Sequence, residues 1–202
     1  MDSGTESIKQ GHPMFIIAMG ASGCGKSTLG QALANSLGIQ FLDGDDLHPK
    51  ANIEKMALGR PLTDEDRYPW LELIRAKAEQ VCADKDSSKS AGCGVVIACS
   101  ALKKAYRDIL RGKTTTCHVP QQIAPSDTLP AYFVYLKGSR DTLLRRMESR
   151  KGHFMKSNML DSQLQTLESP EGEEGVVVIN VEDITTEQVR SAREGLSSLV
   201  EF

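Results

Sequence analysis

Long apolar runs are missing from this sequence. The longest uninterrupted runs have six residues, at 14–19 and 131–136, whereas a helix that spans a membrane needs about 20. The first dozen residues are polar and contain no apolar stretch of the kind found in a secretory signal peptide. We therefore expect a cytoplasmic protein with no membrane partner, in which residues 1–12 form a flexible tail.

The sequence also lacks a dominant basic block and a paired-cysteine motif. The net charge is only −3, so nothing indicates a nucleic acid partner. The five cysteines are an odd number and none are spaced C-x-x-C, which argues against both a disulfide framework and a zinc site. Reduced thiols in the cytosol are the simplest interpretation.

The overall composition is that of an ordinary globular chain. Hydrophobic residues make up 40% and charged residues 25% of the 202 residues, which is typical of folded proteins. A chain of this length can bury a full hydrophobic core. We expect a single domain that covers residues 13–202.

The most informative stretch is residues 20–27, which we call the phosphate loop. Its sequence GASGCGKS fits the pattern G-x-x-x-x-G-K-[ST], with an apolar run before it and leucines at helical spacing after it. Strand, glycine-rich loop and helix together direct backbone N–H groups at the phosphates of a nucleotide. The predicted nucleotide-binding residues are Gly20, Ala21, Ser22, Gly23, Cys24, Gly25, Lys26, Ser27 and Thr28.

Within the phosphate loop, two side chains have predicted roles in phosphoryl transfer from ATP. Lys26 is expected to reach the β- and γ-phosphates, and the Ser27 hydroxyl to ligate Mg²⁺. At Cys24 the chemistry requires the backbone N–H alone, although a thiol at this position can make the protein sensitive to thiol reagents. The alternative interpretation of the motif is a chance match in a helix-capping loop.

Five apolar segments alternate with helical patterns along the rest of the chain. This alternation predicts an α/β fold, with a five-stranded parallel sheet covered by helices on both faces. Because Pro69 would interrupt a helix begun at Thr63, we expect a short turn there and a new helix from Pro69. A helix is expected from Ser100 to Leu110, and residues 112–130 form a variable irregular loop. The predicted strands are 14–19, 39–42, 94–99, 131–136 and 176–179.

Acidic residues follow the second predicted strand, where ligands bind in parallel sheets. The third strand ends in Cys99 and Ser100 and supplies no carboxylate for a metal, and the GTPase motifs D-x-x-G and N-K-x-D are absent. Asp43 is therefore expected to act toward Mg²⁺, and Asp45 to orient or deprotonate an attacking hydroxyl group. The alternative is that these aspartates form turns and cap helices.

Motifs extend from these aspartates through much of the chain, at 41–49 (FLDGDDLHP), 52–71 (NxxKMxxGxPLxDxDRxPWL), 99–108 (CSALKKxYRD), 152–155 (GHFM) and 163–168 (QxxTLE). Together they resemble the thermoresistant-type gluconate kinases. The resemblance implies phosphorylation of D-gluconate at its 6-hydroxyl by ATP, giving 6-phosphogluconate and ADP. It also implies a three-layer fold similar to shikimate and adenylate kinases, a mobile helical lid and a homodimer.

A polyhydroxy carboxylate requires cations for its carboxylate and mixed donors and acceptors for its hydroxyl groups. Arg67 matches the family pattern and can grip a carboxylate with two bonds, although it could instead pair with Asp64 or Asp66 on the surface. His48 is expected to contact a hydroxyl group or to cap a helix. The complete set of predicted substrate-binding residues is Asp45, His48, Arg67, Ser100, Ala101 and Lys103.

A basic segment after the fourth strand is expected to form part of the lid, over residues 139–168. Arg146 and Arg150 match the spacing of the family and lie four residues apart, so they share a helix face. Such a lid supplies positive side chains to the γ-phosphate oxygens and excludes water from the site. We predict that Arg146 binds nucleotide and that Arg150 is catalytic with Lys26 and Asp45. The alternative is an exposed basic helix.

Two other functions remain open at this point. One is a related kinase that phosphorylates shikimate or a different sugar acid. The other is a nucleotide-gated regulatory module that uses residues 112–130 for docking. The segment 84–92 and the loop 112–130 look like insertions relative to compact relatives, and the chain after Gly172 resembles the family only loosely, so the residues that contact adenine are not predicted.

Overall fold

A computed structural model describes residues 13–83, 94–114, 129–149 and 157–199. The strands are β1 (Met14–Met19), β2 (Gln40–Asp43), β3 (Gly94–Ala98), β4 (Ala131–Lys137) and β5 (Val176–Asn180). The helices are α1 (Lys26–Leu37), α2 (Lys50–Ala57), α3 (Asp64–Ala83), α4 (Lys104–Leu110), α5 (Arg140–Glu148), α6 (Ser157–Thr166) and α7 (Thr185–Leu199), with a 3₁₀ turn at Gly44–Leu47. The predicted tail, the segment 84–92 and most of the loop 112–130 lie outside the described residues.

The five strands form one parallel sheet in the order β2-β3-β1-β4-β5. The chain moves from β1 outward to β2, returns to β3, and then continues on the other side of β1 with β4 and β5. The order therefore reverses at β1, and the crevice at such a reversal is where ligands bind in open α/β sheets. The phosphate loop begins at this point, directly after Met19.

Both faces of the sheet are covered, because successive side chains of β1 point in opposite directions. Ile16 and Ala18 belong to one buried cluster, together with apolar residues of α1, α5 and α7. Phe15, Ile17 and Met19 belong to the other, with residues of α3 and α4. The predicted fold class, a three-layer α/β kinase fold, is confirmed.

The prediction of a new helix at Pro69 is wrong, because α3 runs unbroken from Asp64 to Ala83 with Pro69 inside it. Thr63 and Asp66 form a reciprocal cap in which the Thr63 N–H donates to the Asp66 carboxylate (2.7 Å) and the Asp66 N–H to the Thr63 hydroxyl (3.4 Å). Pro69 is the sixth residue of α3, and it has no N–H group. The helix therefore loses one backbone hydrogen bond, close to its N-terminal end. Burial of the following residue, Trp70, favours the continuous helix.

The helix expected from Ser100 begins later, at Lys104. Ala101 has a φ of +46°, which is incompatible with a right-handed helix and rare for a residue with a Cβ. The Lys104 N–H is capped by the carboxylate of Glu168 at 2.6 Å. Residues 100–103 therefore form a loop between β3 and α4.

The last helix, α7, begins and ends at the predicted residues, 185 and 199. Helix α1 ends at Gly38, which has the left-handed conformation with φ +67°. Among the helices in the described part of the chain, none has the length and apolar character to cross a membrane.

Candidate active site

The phosphate loop connects β1 to α1 through a left-handed turn. Gly25 is the N-terminal cap of α1 with φ +101°, a conformation that a side chain would strain. The Lys26 ammonium group folds back over the loop and donates to the carbonyl oxygens of Gly20 and Ala21, each at 3.1 Å. The N–H groups of the first turn of α1 have no partner within the helix, so they remain available to a ligand.

Ser27 and Asp43 meet beside this loop. The Ser27 hydroxyl donates to Oδ2 of Asp43 at 2.8 Å, which joins the start of α1 to the end of β2. The other carboxylate oxygen, Oδ1, accepts the N–H of Asp45 at 3.1 Å and caps the 3₁₀ turn. Asp43 is thus a turn-capping residue, as the alternative interpretation had it, and its carboxylate also binds the Ser27 hydroxyl group.

Gly44 allows this turn to pack closely on the neighbouring strand. A Cβ at position 44 would lie 2.5 Å from the carbonyl oxygen of Ala98 in β3. Asp45 follows in the same turn, and 86% of its side chain is exposed. We call the open space around Asp45, Lys26 and His48 the cleft. Protein around the cleft still reduces the solvation of Asp45 and raises the pKa of its carboxyl group, and the charge of Asp43 raises it further, while Lys26 opposes both effects.

His48 lies on the wall of the cleft and stacks on Trp70, with ring centroids 4.0 Å apart and planes 15° apart. Its Nε2 is 4.0 Å from Oδ1 of Asp45, and only 6% of its side chain is exposed. Burial lowers the pKa of His48 to about 4, and the nearby charge of Arg67 contributes to the shift. The ring is therefore neutral near pH 7 and able to hydrogen-bond without adding charge.

Asp64 joins the two predicted cations of the substrate site. Its carboxylate accepts from the Lys103 ammonium group at 2.6 Å and from the Tyr106 hydroxyl at 2.5 Å, and these bonds lower the pKa of Asp64. Arg67 lies farther away, at 3.9 Å from Asp64, and donates to the carbonyl oxygen of Leu62 at 2.7 Å. The alternative interpretation of Arg67, an ion pair with Asp64, is therefore present in the structure, whereas the bond between Asp64 and Lys103 was not predicted.

The loop after β3 is held against the phosphate loop and against α4. The Gly20 N–H donates to the Ser100 carbonyl oxygen at 3.3 Å. Arg107, which has no exposed surface, donates to the carbonyl oxygens of Ala101 and Leu102 at 2.9 and 3.0 Å. Its guanidinium group also pairs with Glu173 at 2.6 Å. A buried ion pair thus holds Ala101 in its unusual backbone conformation.

A cavity of about 400 Å³ is lined by the phosphate loop, α5 and the segment after β5. Arg146 of α5 borders it and donates to the carbonyl oxygens of Cys24, at 3.4 Å, and of Val181. The rule that ligands meet the carboxyl ends of strands selects the loop after β5, but no individual residue of this loop was predicted. The lining residues are Gly23, Cys24, Gly25, Thr28, Arg146, Ser149, Glu182, Asp183, Ile184, Thr185 and Gln188.

Comparisons with known proteins give this geometry a family. A family model described as shikimate kinase matches residues 22–200. A probable gluconokinase of Schizosaccharomyces pombe is 44% identical over 86% of this chain and 83% of that protein. A gluconokinase of Gluconobacter oxydans is 43% identical over 88% of this chain and 89% of that protein. A crystal structure of a gluconokinase from Sinorhizobium meliloti 1021 is 41% identical, covers 95% of each chain and has a TM-score of 0.74.

The chain belongs to the gluconokinase family. The resemblance seen in the sequence is confirmed, and the chain is a kinase of a family that uses ATP.

One gluconokinase motif, 163–168, contacts both the phosphate loop and the loop after β3. The Ser22 N–H of the phosphate loop donates to the side-chain oxygen of Gln163 at 2.6 Å. Five residues later, the Glu168 N–H donates to the Leu102 carbonyl oxygen at 2.9 Å. The end of α6 therefore contacts the phosphate loop and the loop after β3, a bridge that the motif alone did not reveal.

Two gluconokinase-site predictions concern the lid and Cys24. Arg150 and the stretch 152–155 lie outside the described residues.

The Cys24 side chain is 1% exposed, and burial raises the pKa of its thiol. A buried, protonated thiol reacts slowly, so the structure contradicts the idea that Cys24 confers sensitivity to thiol reagents.

Proposed function

We propose that this chain phosphorylates D-gluconate at its 6-hydroxyl with ATP, giving 6-phospho-D-gluconate and ADP by direct in-line transfer. The observation that carries the proposal is the arrangement at one edge of the sheet, in a gluconokinase-family chain. Asp45 is close enough to Lys26 for that charge to lower its pKa, and its carboxylate lies 4.0 Å from Nε2 of His48. A carboxylate in this position can serve a hydroxyl group that approaches the γ-phosphate.

On the nucleotide side, we assign the triphosphate to the N–H groups of the phosphate loop and to Lys26. The adenosine part would occupy the 400 Å³ cavity beside Arg146 and the loop after β5. The oxygens of Ser27 and Asp43 suit Mg²⁺, which prefers hard oxygen ligands and takes one or two of them from the protein. When bound, Mg²⁺ would neutralise charge that develops on the phosphate oxygens.

On the acceptor side, we assign the carboxylate of gluconate to Arg67 and Lys103. Both cations already converge on the Asp64 carboxylate, so they are close enough together to bind one further anion. His48 and the backbone of Ser100 and Ala101 would bind hydroxyl groups. This assignment orients the sugar acid with its far end, the 6-hydroxyl, available to Asp45.

Asp45 would then orient the 6-hydroxyl and accept its proton as the oxygen bonds to the γ-phosphorus and the bond to ADP breaks. The raised pKa of Asp45 favours proton acceptance, because a weaker acid forms a stronger base. Residues 139–168 would close as a lid over the γ-phosphate and bring Arg150 to it.

We also propose that residues 13–202 form one domain, with residues 1–12 as a tail and residues 112–130 as a variable loop.

The product identifies the reaction. The purified chain would be incubated with ATP, Mg²⁺ and D-gluconate, and the product analysed by ³¹P and ¹³C NMR. We expect a phosphate ester at carbon 6. An ester at another carbon would mean that the acceptor is oriented differently, and no phosphorylated product would contradict the proposed function.

A homodimer and a cytoplasmic location remain proposals that rest on the resemblance and on the composition. Light scattering during gel filtration tests the first, since a dimer would have twice the 22.0 kDa of one chain.

A further inference from the structure

Asn52 is a buried polar side chain between two parts of the acceptor side. It lies on α2 and is 4% exposed. Its side-chain nitrogen donates to the carbonyl oxygen of Asp66 at 2.8 Å, and the same nitrogen lies 3.4 Å from Nδ1 of His48. The amide therefore connects the first turn of α3 to the histidine ring.

The Asp66 carbonyl fixes which end of the Asn52 amide faces the ring. A backbone carbonyl oxygen can only accept hydrogen bonds, so the NH₂ end of the amide must face it. The second hydrogen of the same NH₂ group then faces His48. Nδ1 can accept this hydrogen only if it carries no proton of its own, and in a neutral imidazole the remaining proton lies on Nε2.

Asp66 and the plane of the ring are themselves held in place. The Asp66 carboxylate accepts from the Thr63 hydroxyl group and pairs with Lys55. Trp70 stacks on the ring and is fixed by its own hydrogen bond to the Gly44 carbonyl oxygen at 2.7 Å. The ring therefore cannot turn freely, and its Nε2 edge faces Asp45.

We propose that Asn52 is a positioning residue that fixes His48 in the Nε2–H tautomer, so that the ring offers a hydrogen-bond donor to an acceptor hydroxyl beside Asp45. The identity of this hydroxyl rests on the proposed function, but the tautomer does not. A donor at this place accepts no proton from the hydroxyl group. The hydroxyl proton is thereby left for Asp45, and His48 fixes the oxygen.

The low pKa of His48 agrees with the neutral ring that this tautomer requires. Burial and the positive charge of Arg67 keep the ring neutral at pH 7. Asp45 is the carboxylate that faces its Nε2.

NMR of the full chain tests the tautomer without any assay of activity. Long-range ¹H–¹⁵N spectra at pH 7 would be compared with those of His48→Gln, which identifies the His48 signals by their loss. We expect Nδ1 to resonate as a bare nitrogen and Nε2 as a protonated one. The reverse pattern, or rapid exchange between the two tautomers, would overturn the proposal.

Two variants test the role of Asn52 itself. In Asn52→Asp the carboxylate can only accept, so we expect the proton to move to Nδ1 and the KM for gluconate to rise more than kcat falls. Asn35→Asp, at an exposed position on α1, should change neither. An Nε2–H ring in a folded Asn52→Asp protein would overturn the role of Asn52. If this variant does not fold, the spectrum of the unsubstituted chain still decides the tautomer.

Amide isosteres of the ring give a kinetic test. A glutamine amide nitrogen can occupy the position of Nε2, whereas that of asparagine corresponds to Nδ1. We expect His48→Gln to retain a lower KM for gluconate than His48→Asn, with the KM for ATP unchanged in both. The opposite order would contradict an Nε2–H donor. If the unsubstituted chain does not turn over gluconate, the proposed function fails while the tautomer result stands.

Discussion

Two aspartates, two positions apart, have different surroundings at the end of β2. Asp43 is bound to the Ser27 hydroxyl group and to the Asp45 N–H, whereas Asp45 extends into the cleft with a raised pKa. The roles that we propose, a metal ligand for Asp43 and a base for Asp45, correspond to this difference. This division, which the sequence predicted from the spacing, leads to a direct test at the residue level.

We expect Asp45→Asn to lower kcat by roughly 10²- to 10⁴-fold, the usual cost of removing a general base. The amide is close to the carboxylate in size but does not accept the hydroxyl proton, and ATP affinity should be retained. Measurement of ADP release, with calorimetry of ATP binding, separates the two effects. Asp46→Asn changes the adjacent, exposed carboxylate and serves as the control. Near-normal turnover by Asp45→Asn would remove Asp45 from the base role.

The depressed pKa of His48 predicts a pH-dependent stability. Protonation of this ring is easier in the unfolded chain, where the pKa is near 6.5, than in the folded protein, where it is about 4. The contribution to stability is therefore complete above pH 6.5 and is lost as the pH falls toward 4. Asp66, with a pKa lowered to about 2, loses its own contribution only below this window.

Urea unfolding at a series of pH values measures this effect. We expect the free energy of unfolding to fall between pH 6.5 and 4, and to fall less steeply in His48→Gln. Equal slopes for the two proteins would show that His48 does not titrate abnormally.

Burial of Cys24 predicts slow chemical modification. Because the thiol is protected and protonated, we expect Cys24 to remain unlabelled by iodoacetamide in the native protein and to be labelled in denaturant. Peptide mass spectrometry after timed labelling identifies the modified residue. Rapid labelling of native Cys24, with loss of activity, would mean that the phosphate loop opens far more than the structure implies.

Sequence patterns identified the phosphate loop, Asp43 and Asp45 because a short local motif determines the conformation of the backbone there. They did not identify Asp64 or Asn52 as organising residues. Asp64 contacts Lys103, which is 39 positions away along the chain, and Asn52 contacts Asp66 across a helix boundary. Such contacts depend on how helices pack, and no spacing rule encodes them.

Among the elements, α4 depends on a buried charge network. Arg107 has no exposed surface, and Glu173 supplies both carboxylate oxygens to its guanidinium group. Arg111 pairs with the same carboxylate at 2.9 Å. This network fixes the loop after β3, because Arg107 also holds the carbonyl oxygens of Ala101 and Leu102.

We expect Glu173→Ala to lower the free energy of unfolding by roughly 3 kcal/mol, because it leaves a buried guanidinium group without its counter-charge. The KM for gluconate should also rise, since the loop at Ala101 would relax. Urea unfolding and steady-state kinetics measure the two effects. Glu174→Ala, whose side chain is 92% exposed, should be nearly neutral. Equal stability of the two variants would contradict the structural role of the network.

Helix α3 illustrates why element boundaries are harder to predict than elements. Pro69 is unfavourable inside a helix in general, but the rule does not weigh the cap at Thr63 and Asp66 or the burial of Trp70. Likewise, α4 begins after Lys103 because of Arg107 and Glu168, which lie outside the local pattern.

For the whole molecule, alternation of apolar strands and helices was sufficient to predict the parallel sheet. Because the strands are parallel, their carboxyl ends meet at one edge, and the structure brings the phosphate loop, Asp45 and Ser100 to that edge. The cavity beside Ile184 was not predicted, because the segment after β5 contains no motif and its shape depends on α5 packing against the phosphate loop.

The proposed reaction is tested by measuring ADP release with ATP, Mg²⁺ and a panel of acceptors: D-gluconate, L-idonate, shikimate, glucose and AMP. We predict strong turnover confined to D-gluconate. Turnover with another acceptor instead would retain the kinase but contradict the assignments of His48, Arg67 and Lys103. A folded chain that binds ATP but turns over none of these acceptors would contradict the account and favour a nucleotide-gated regulatory module.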